Sequence, residues 1–299
     1  MSLNGYATSR RRAVFGSCAA LGLLALSQRP LRSEPAVRVV TVGGALTEIV
    51  FALGGETRLV GSDTTSMAPP AAQALPKVGY PRTLSAEGVL SLRPTLLLAT
   101  ADAGPPAALQ QLAAAGVRVV RARGEHTFEA LLANVSLVAE SLALPARGYT
   151  LEAHLRSEWT RTQSAIASRA AHPRPKVMFV LSHAATNVQV AGSGTAADAV
   201  ISYAGGVNAL VSVDGGFRGY RPLTAEAAIA AAPDVILATA QGVEALGGID
   251  SLLARPGLAL TPAGRARRVV APDALLLLGF GPRLPLAVRE LAQQIGTAA

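Results

Sequence analysis

Cysteine is almost absent from this sequence: the 299-residue chain holds one, Cys18. That excludes an internal disulfide. It also excludes thiolate zinc and iron–sulfur sites, which need several Cys ligands. The four histidines, His126, His154, His172 and His183, show no metal-ligand spacing. Lysine is confined to Lys77 and Lys176, so nearly all of the 27 basic residues are arginine. A bias of this kind reflects a GC-rich genome better than a nucleic-acid surface. The arginines are scattered apart from Arg10–Arg12 and Arg265–Arg268, so no nucleic-acid partner is expected. Aromatic residues make up 4% and charged residues 15%, against 50% hydrophobic. Disordered and collagen-like classes are thereby excluded, and the length supports a real core without staples. There is no G-x-S-x-G elbow, P-loop or convincing acid pair, so an enzyme is not expected.

The first residues read as an address. Arg10, Arg11 and Arg12 precede the apolar run Ala13–Leu26, which is too short to span a bilayer comfortably. Ala25 and Ser27 are small residues suited to cleavage after Ser27. Residues 1–27 are therefore read as a signal peptide and 28–36 as a short linker. The run Ser9–Phe15 fits a twin-arginine signal and an ordinary secretory signal about equally. Cys18 falls too early in the apolar run for lipid attachment. The expected product is an exported periplasmic protein that does not itself span the membrane.

The rest of the chain alternates strand and helix patterns. Val37–Val42, Arg58–Gly61, Thr95–Ala99 and Val117–Arg121 read as strands, with helices over Ala45–Leu53, Pro106–Ala115 and Phe128–Leu142. Gly148–Ala171 is one long stretch almost free of helix breakers. Val177–Leu181 opens a second alternating block that ends in a helix over Leu284–Ile295. The expected fold is α/β with largely parallel sheets. It would consist of two Rossmann-like lobes, residues 37–147 and 173–299, joined by one long rigid helix at 148–172. The ligand cleft would lie between the lobes.

A repeat supports two lobes. Ser85-Ala86-Glu87 opens a unit that runs through Pro94 to Ala99, and Thr224-Ala225-Glu226 opens one that runs through Pro233 to Ala238. Each reads as a capped helix, a proline and a strand. Ser85 and Thr224 are good N-caps, with an acid in each first turn.

These features resemble the periplasmic substrate-binding proteins of the iron-siderophore, cobalamin and heme ABC importers. The resemblance rests on Val42–Ile49, on the two Glu–helix–Pro–strand units, and on Val78-Gly79-Tyr80-Pro81-Arg82-Thr83-Leu84-Ser85-Ala86-Glu87. It also rests on Ala191–Ala199, Gly205–Asn208 and Tyr220–Glu226, and covers about residues 37–297. The tyrosine motif resembles the heme-binding branch. The resemblance implies capture of ferric heme, as transported ligand, and delivery to an inner-membrane permease dimer with its ATPase subunits. The same fold binding a ferric siderophore or cobalamin is the alternative.

Tyr80 is the leading iron ligand. A phenol with pKa about 10 ligates poorly until deprotonated. Fe(III) and a nearby cation favour the phenolate, and tyrosinate is an axial heme ligand elsewhere. Arg82 lies two residues on, placed to donate to that oxygen. The bland reading is a packing tyrosine in a loop; the resemblance assigns Tyr80 to the iron with Arg82 in support. His183, after a strand, is a candidate ligand for a second heme. The heme propionates call for cations. Arg221 leads and Arg218 follows, with exposed loop arginines as the bland reading. Met67, Phe217, Tyr220 and Leu223 are candidate wall residues. Gly192-Ser193-Gly194-Thr195-Ala196-Ala197 fits G-x-G-x-x-A with Asp214 twenty residues past Gly194, a dinucleotide-site decoy that still leaves Gly192 and Gly194 as pocket elements. Glu87 and Glu226 complement their helix dipoles, and the resemblance adds docking on permease arginines.

Overall fold

The computed structural model describes residues 37–169, 173–184, 187–211 and 216–296. The leader, the linker, Cys18, Asp214 and the side chain of His183 lie outside that description.

The chain order is β1 (Val39–Val42), α1 (Gly44–Ala52), β2 (Leu59–Ser62), α2 (Ala86–Leu90), β3 (Leu96–Ala99), α3 (Pro106–Ala114), β4 (Arg118–Arg121) and α4 (Phe128–Ser141). Next come α5 (Pro145–Ala167), β5 (Lys176–Ala184), β6 (Asn187–Ala191), α6 (Ala196–Tyr203), β7 (Val207–Asn208), β8 (Tyr220–Pro222), α7 (Ala225–Ala231) and β9 (Val235–Leu237). The chain closes with α8 (Ala240–Ala245), α9 (Ile249–Leu253), α10 (Pro262–Arg265), β10 (Val269–Val270), α11 (Ala274–Leu278) and α12 (Leu284–Gly296).

The first sheet has the order β2-β1-β3-β4 and is wholly parallel. The second has the order β10-β9-β5-β6-β8, with β7 also on β5. Among the described residues six of the eight strand pairings are parallel, as expected of a largely parallel fold, and the second sheet adds an antiparallel edge. β5 runs parallel to β7 and β9, but β5–β6 and β6–β8 are antiparallel. Two residues separate β5 from β6, too few for a parallel crossover.

Strands buried on both faces explain the apolar runs. Val39, Leu96 and Leu98 of the first sheet share one core with Val177, Phe179, Val235 and Leu237 of the second. Their alternate neighbours Val40, Leu97 and Ala99 face a separate core, and Met178, Val180 and Ile236 face a third. The shared core is bridged by the helices between the sheets, and α5 packs on both α4 and α12. This helix starts three residues before the expected Gly148, because Pro145 is pre-organised for the first helical turn. Arg147 ties it to the first lobe by donating to the carbonyls of Leu53 and Gly54 at 2.9 and 3.0 Å. Gln163 ties it to the second through the carbonyl of Tyr203 at 3.3 Å. Trp159 stacks on Phe128 of α4 at 4.6 Å and meets Tyr203 of α6 edge-on at 4.8 Å.

The repeated unit folds as read. Oγ of Ser85 accepts from Gly88 N and Oγ1 of Thr224 accepts from Ala227 N, each at 3.2 Å. Each unit also turns on a non-glycine residue in the left-handed region just before its proline, Arg93 (φ 47°) and Ala232 (φ 42°). That conformation costs roughly 1–2 kcal/mol per residue, so its recurrence at matched places marks a shared turn rather than chance.

Candidate ligand-binding cleft

The first lobe presents Tyr80 on a turn fixed from two sides. Thr64 donates its N–H to the carbonyl of Gly79 at 3.0 Å, tying the turn to the loop that carries Met67. Gly104 donates to the carbonyl of Pro81 at 2.9 Å, tying it to the loop after β3. Tyr80 is 46% exposed and Met67 50%, both high for such residues beside a well-packed core. Beneath them Asp63, fully buried, accepts from Gly43 N, Thr65 N and Ser66 Oγ at 2.9, 2.8 and 2.6 Å. That network fixes the ends of β1 and β2 and consumes the carboxylate structurally.

Arg82 lies beside Tyr80 but makes its ion pair elsewhere. Nε and Nη2 both reach Oδ2 of Asp102, at 2.8 and 2.7 Å. Asp102 had no motif to mark it; only the fold brings the loop after β3 against the tyrosine turn. Burial would raise its carboxyl, but the hydrogen bond and charge of Arg82 hold it below the usual range. His126, though exposed, is partly desolvated, which lowers the imidazole against the opposing charge of Asp102.

The second lobe offers the antiparallel ribbon that the sequence did not disclose. β6 and β8 pair Ala191 with Tyr220 and Val190 with Arg221, and Ser193 bridges Arg218 just beyond. This ribbon gathers Gly192, Gly194, Phe217, Arg218, Tyr220 and Arg221 at one edge. The glycines make room. A Cβ on Gly192 would fall 2.2 Å from the carbonyl of Phe217 and 2.7 Å from its ring, and one on Gly194 would lie 3.3 Å from Cζ of Arg218. The N–H of Gly194 is given to Oδ2 of Asp198 at 3.0 Å, so the start of α6 carries its own anion. Arg221 lays its guanidinium over Phe217, 3.9 Å from the ring centroid, a cation–π contact. Its Nη2 is buried without a hydrogen-bond partner.

The two sets face each other. The charge of Arg82 on the first lobe reaches the phenol of Tyr220 on the second. Partial burial raises the Tyr220 phenol, while Thr195 and Arg82 pull the other way. Tyr220 is thus kept neutral and suited to hydrogen bonding. His126 and Phe280, whose rings lie 5.3 Å apart, mark another contact between the lobes. His183 occupies the carboxyl-terminal end of β5, inside the strand rather than after it. Glu87 and Glu226 are exposed on the first turns of α2 and α7. Among the described residues no group of three or more His, Cys, Asp or Glu could hold a metal ion. None of their helices is long and apolar enough to cross a membrane.

Two exposed phenols, Tyr80 on the first lobe and Tyr220 on the second, with arginines that have no ion pair among the described residues, suit a ligand with apolar and anionic parts. Residues 39–274 match the family described as periplasmic binding protein. The chain belongs to that family. Within it, the chain is 51% identical to the periplasmic heme-binding protein BhuT, solved in complex with two hemes, with a TM-score of 0.82 over 87% of this chain and 98% of that one. It is 42% identical to the periplasmic heme-binding protein RhuT from Roseiflexus sp. RS-1 in apo form, with a TM-score of 0.84 over 88% of this chain and 99% of that one. A more distant relative is YvrC of Bacillus subtilis (strain 168), described as an uncharacterized ABC transporter substrate-binding lipoprotein. It is 26% identical over 267 residues, covering 89% of this chain and 81% of the relative. As a periplasmic binding protein, the chain falls among the substrate-binding components of ABC transporters.

Proposed function

We propose that this periplasmic binding protein captures ferric heme between its lobes and delivers it to an ABC permease in the inner membrane. One observation carries the reading. An exposed tyrosine on a rigid turn, Tyr80, stands beside Arg82 in a chain 51% identical to a heme-binding protein along nearly its whole length. Tyr80 supplies a phenolate oxygen to Fe(III), and the guanidinium of Arg82 keeps positive charge near that oxygen. Phe217, Met67 and the body of Tyr220 cover the macrocycle. Arg221 and Arg218 take the propionates through charge-assisted hydrogen bonds. His183 is the candidate ligand for a second heme. The leader at 1–27 directs export to the periplasm and is removed. Glu87 and Glu226 dock on the permease, whose ATPase subunits drive release.

Hemin titration of the processed chain tests this reading against its Tyr80→Phe variant. Wild type should give a saturable ferric Soret spectrum with a phenolate charge-transfer band, and the variant should lose the band and bind more weakly. Identical spectra would remove Tyr80 from the iron. Absence of heme binding by wild type would favour a ferric siderophore or cobalamin in the same cleft. The stoichiometry at saturation separates one heme from two.

A further inference from the structure

Three arginines border the cleft, and they are not equivalent. Arg82 is held at both Nε and Nη2 by one oxygen of Asp102. The pairing is built into the backbone. Gly104 N bonds the carbonyl of Pro81 at 2.9 Å, and Leu84 N bonds the carbonyl of Gly104 at 2.8 Å. These bonds lock the loop of Asp102 to the turn of Arg82 on both sides of the ion pair. Across the cleft, Arg221 has a buried Nη2 without a partner and stacks only on Phe217. Arg218 makes no side-chain hydrogen bond or ion pair among the described residues.

We infer that Asp102 is a positioning residue: it withholds Arg82 from the carboxylates of the ligand and thereby directs them to Arg218 and Arg221. A second carboxylate brought to Arg82 would share one guanidinium with Asp102. The two anions repel, and the repulsion grows as the bound ligand displaces water and lowers the local dielectric. Among the described residues neither Arg218 nor Arg221 is ion-paired with an acid. Asp102 therefore sets which edge of an amphiphilic, carboxylate-bearing ligand faces which lobe, and it leaves Arg82 beside Tyr80. This inference rests on the heme reading and adds to it a residue that fixes orientation.

The test compares hemin with hemin dimethyl ester, whose carboxylates are blocked. The measured quantity is the ester-to-acid ratio of dissociation constants. In wild type the ratio should fall toward one when Arg218 and Arg221 are both changed to Gln. Asp102→Asn keeps the side-chain shape but frees Arg82 as another receiver, so the ratio should rise about five- to tenfold, the scale of one partly desolvated ion pair. Adding Arg82→Gln to Asp102→Asn should return it to the wild-type value. A ratio unchanged in Asp102→Asn, or a rise that survives Arg82→Gln, would overturn the role. Wild type that binds neither porphyrin would overturn the functional reading, and this role with it, before any variant is made.

Discussion

Arg283 grips Glu48 from 235 positions away in the sequence, with Nε on Oε2 at 2.9 Å and Nη2 on Oε1 at 2.7 Å. Glu48 sits on α1 of the first lobe and is 7% exposed, while Arg283 just precedes α12 of the second. A buried carboxylate needs such a partner, and the planar fork of arginine supplies both bonds at once. The pair is thus a clasp between the lobes, set beside the shared core. Glu48→Ala should destabilise the fold by about 3 kcal/mol, near the lower end for breaking a buried pair, because the Arg283 side chain is 36% exposed. Denaturant midpoints check this. The double variant Glu48→Leu, Arg283→Met should recover most of the loss, since apolar replacement leaves no orphaned charge.

Trp159 makes a second joint. Its ring is stacked on Phe128 with an interplanar angle of 6° and meets Tyr203 at 88°, so one side chain of α5 touches both lobes. Trp159→Ala should cost about 3–5 kcal/mol, the range for large aromatic truncations. It is also the one tryptophan of the chain. In wild type its fluorescence should report a single unfolding transition that coincides with far-ultraviolet circular dichroism, because both lobes unfold with their shared core. Two separated transitions would show that the lobes unfold independently.

Much of this fold was legible because its strands are apolar on both faces and its helices carry caps. Ser85, Thr224, Glu87 and Glu226 were placed correctly by spacing alone, since capping is a local matter of a few residues. The β6–β8 ribbon was not. Asn187–Ala191 and Tyr220–Pro222 are short, mixed in polarity and distant in sequence, so no periodicity marks them. Asp102 and His126 escaped for a related reason: each acquires its partners only when loops from different strands converge. Glu48 reads as an ordinary helix residue until Arg283 arrives from the far end of the chain. At the glycine motif the N–H of Gly194 is given to Asp198, a bond that no spacing in the sequence announces.

His126 gives the fold a dependence on acid. Its ring rests against Phe280, and partial desolvation lowers its pKa from the usual 6.5 despite the charge of Asp102. A histidine depressed in the folded state contributes stability that is present above its unfolded value and is lost as pH falls through the folded one. The melting temperature should therefore decline as pH falls below about 6.5, modestly, since the residue is exposed. His126→Gln should flatten that decline while leaving the value near neutrality almost unchanged. An identical slope in both proteins would assign the acid sensitivity elsewhere.

Glu87 and Glu226 pose the question of what the matched acids are for. Each lies exposed in the first turn of a helix whose N-cap is already satisfied by Ser85 or Thr224. Dipole complementarity is worth about 0.3–1 kcal/mol for each, too little to require a glutamate at both places. Docking on basic residues of a permease dimer would require both, one for each lobe, at a fixed separation set by the rigid joint of α5. Reversing both charges with Glu87→Arg and Glu226→Arg should cost the isolated protein roughly 1–2 kcal/mol, from the helix termini alone. Heme affinity should stay at the wild-type level, because both residues are exposed first-turn acids with no ion pair to the arginines proposed for the ligand. Stimulation of the transporter ATPase in proteoliposomes should be lost. If stimulation persists at wild-type strength, the acids serve only their helices, and the docking surface must be sought on another face of the two lobes.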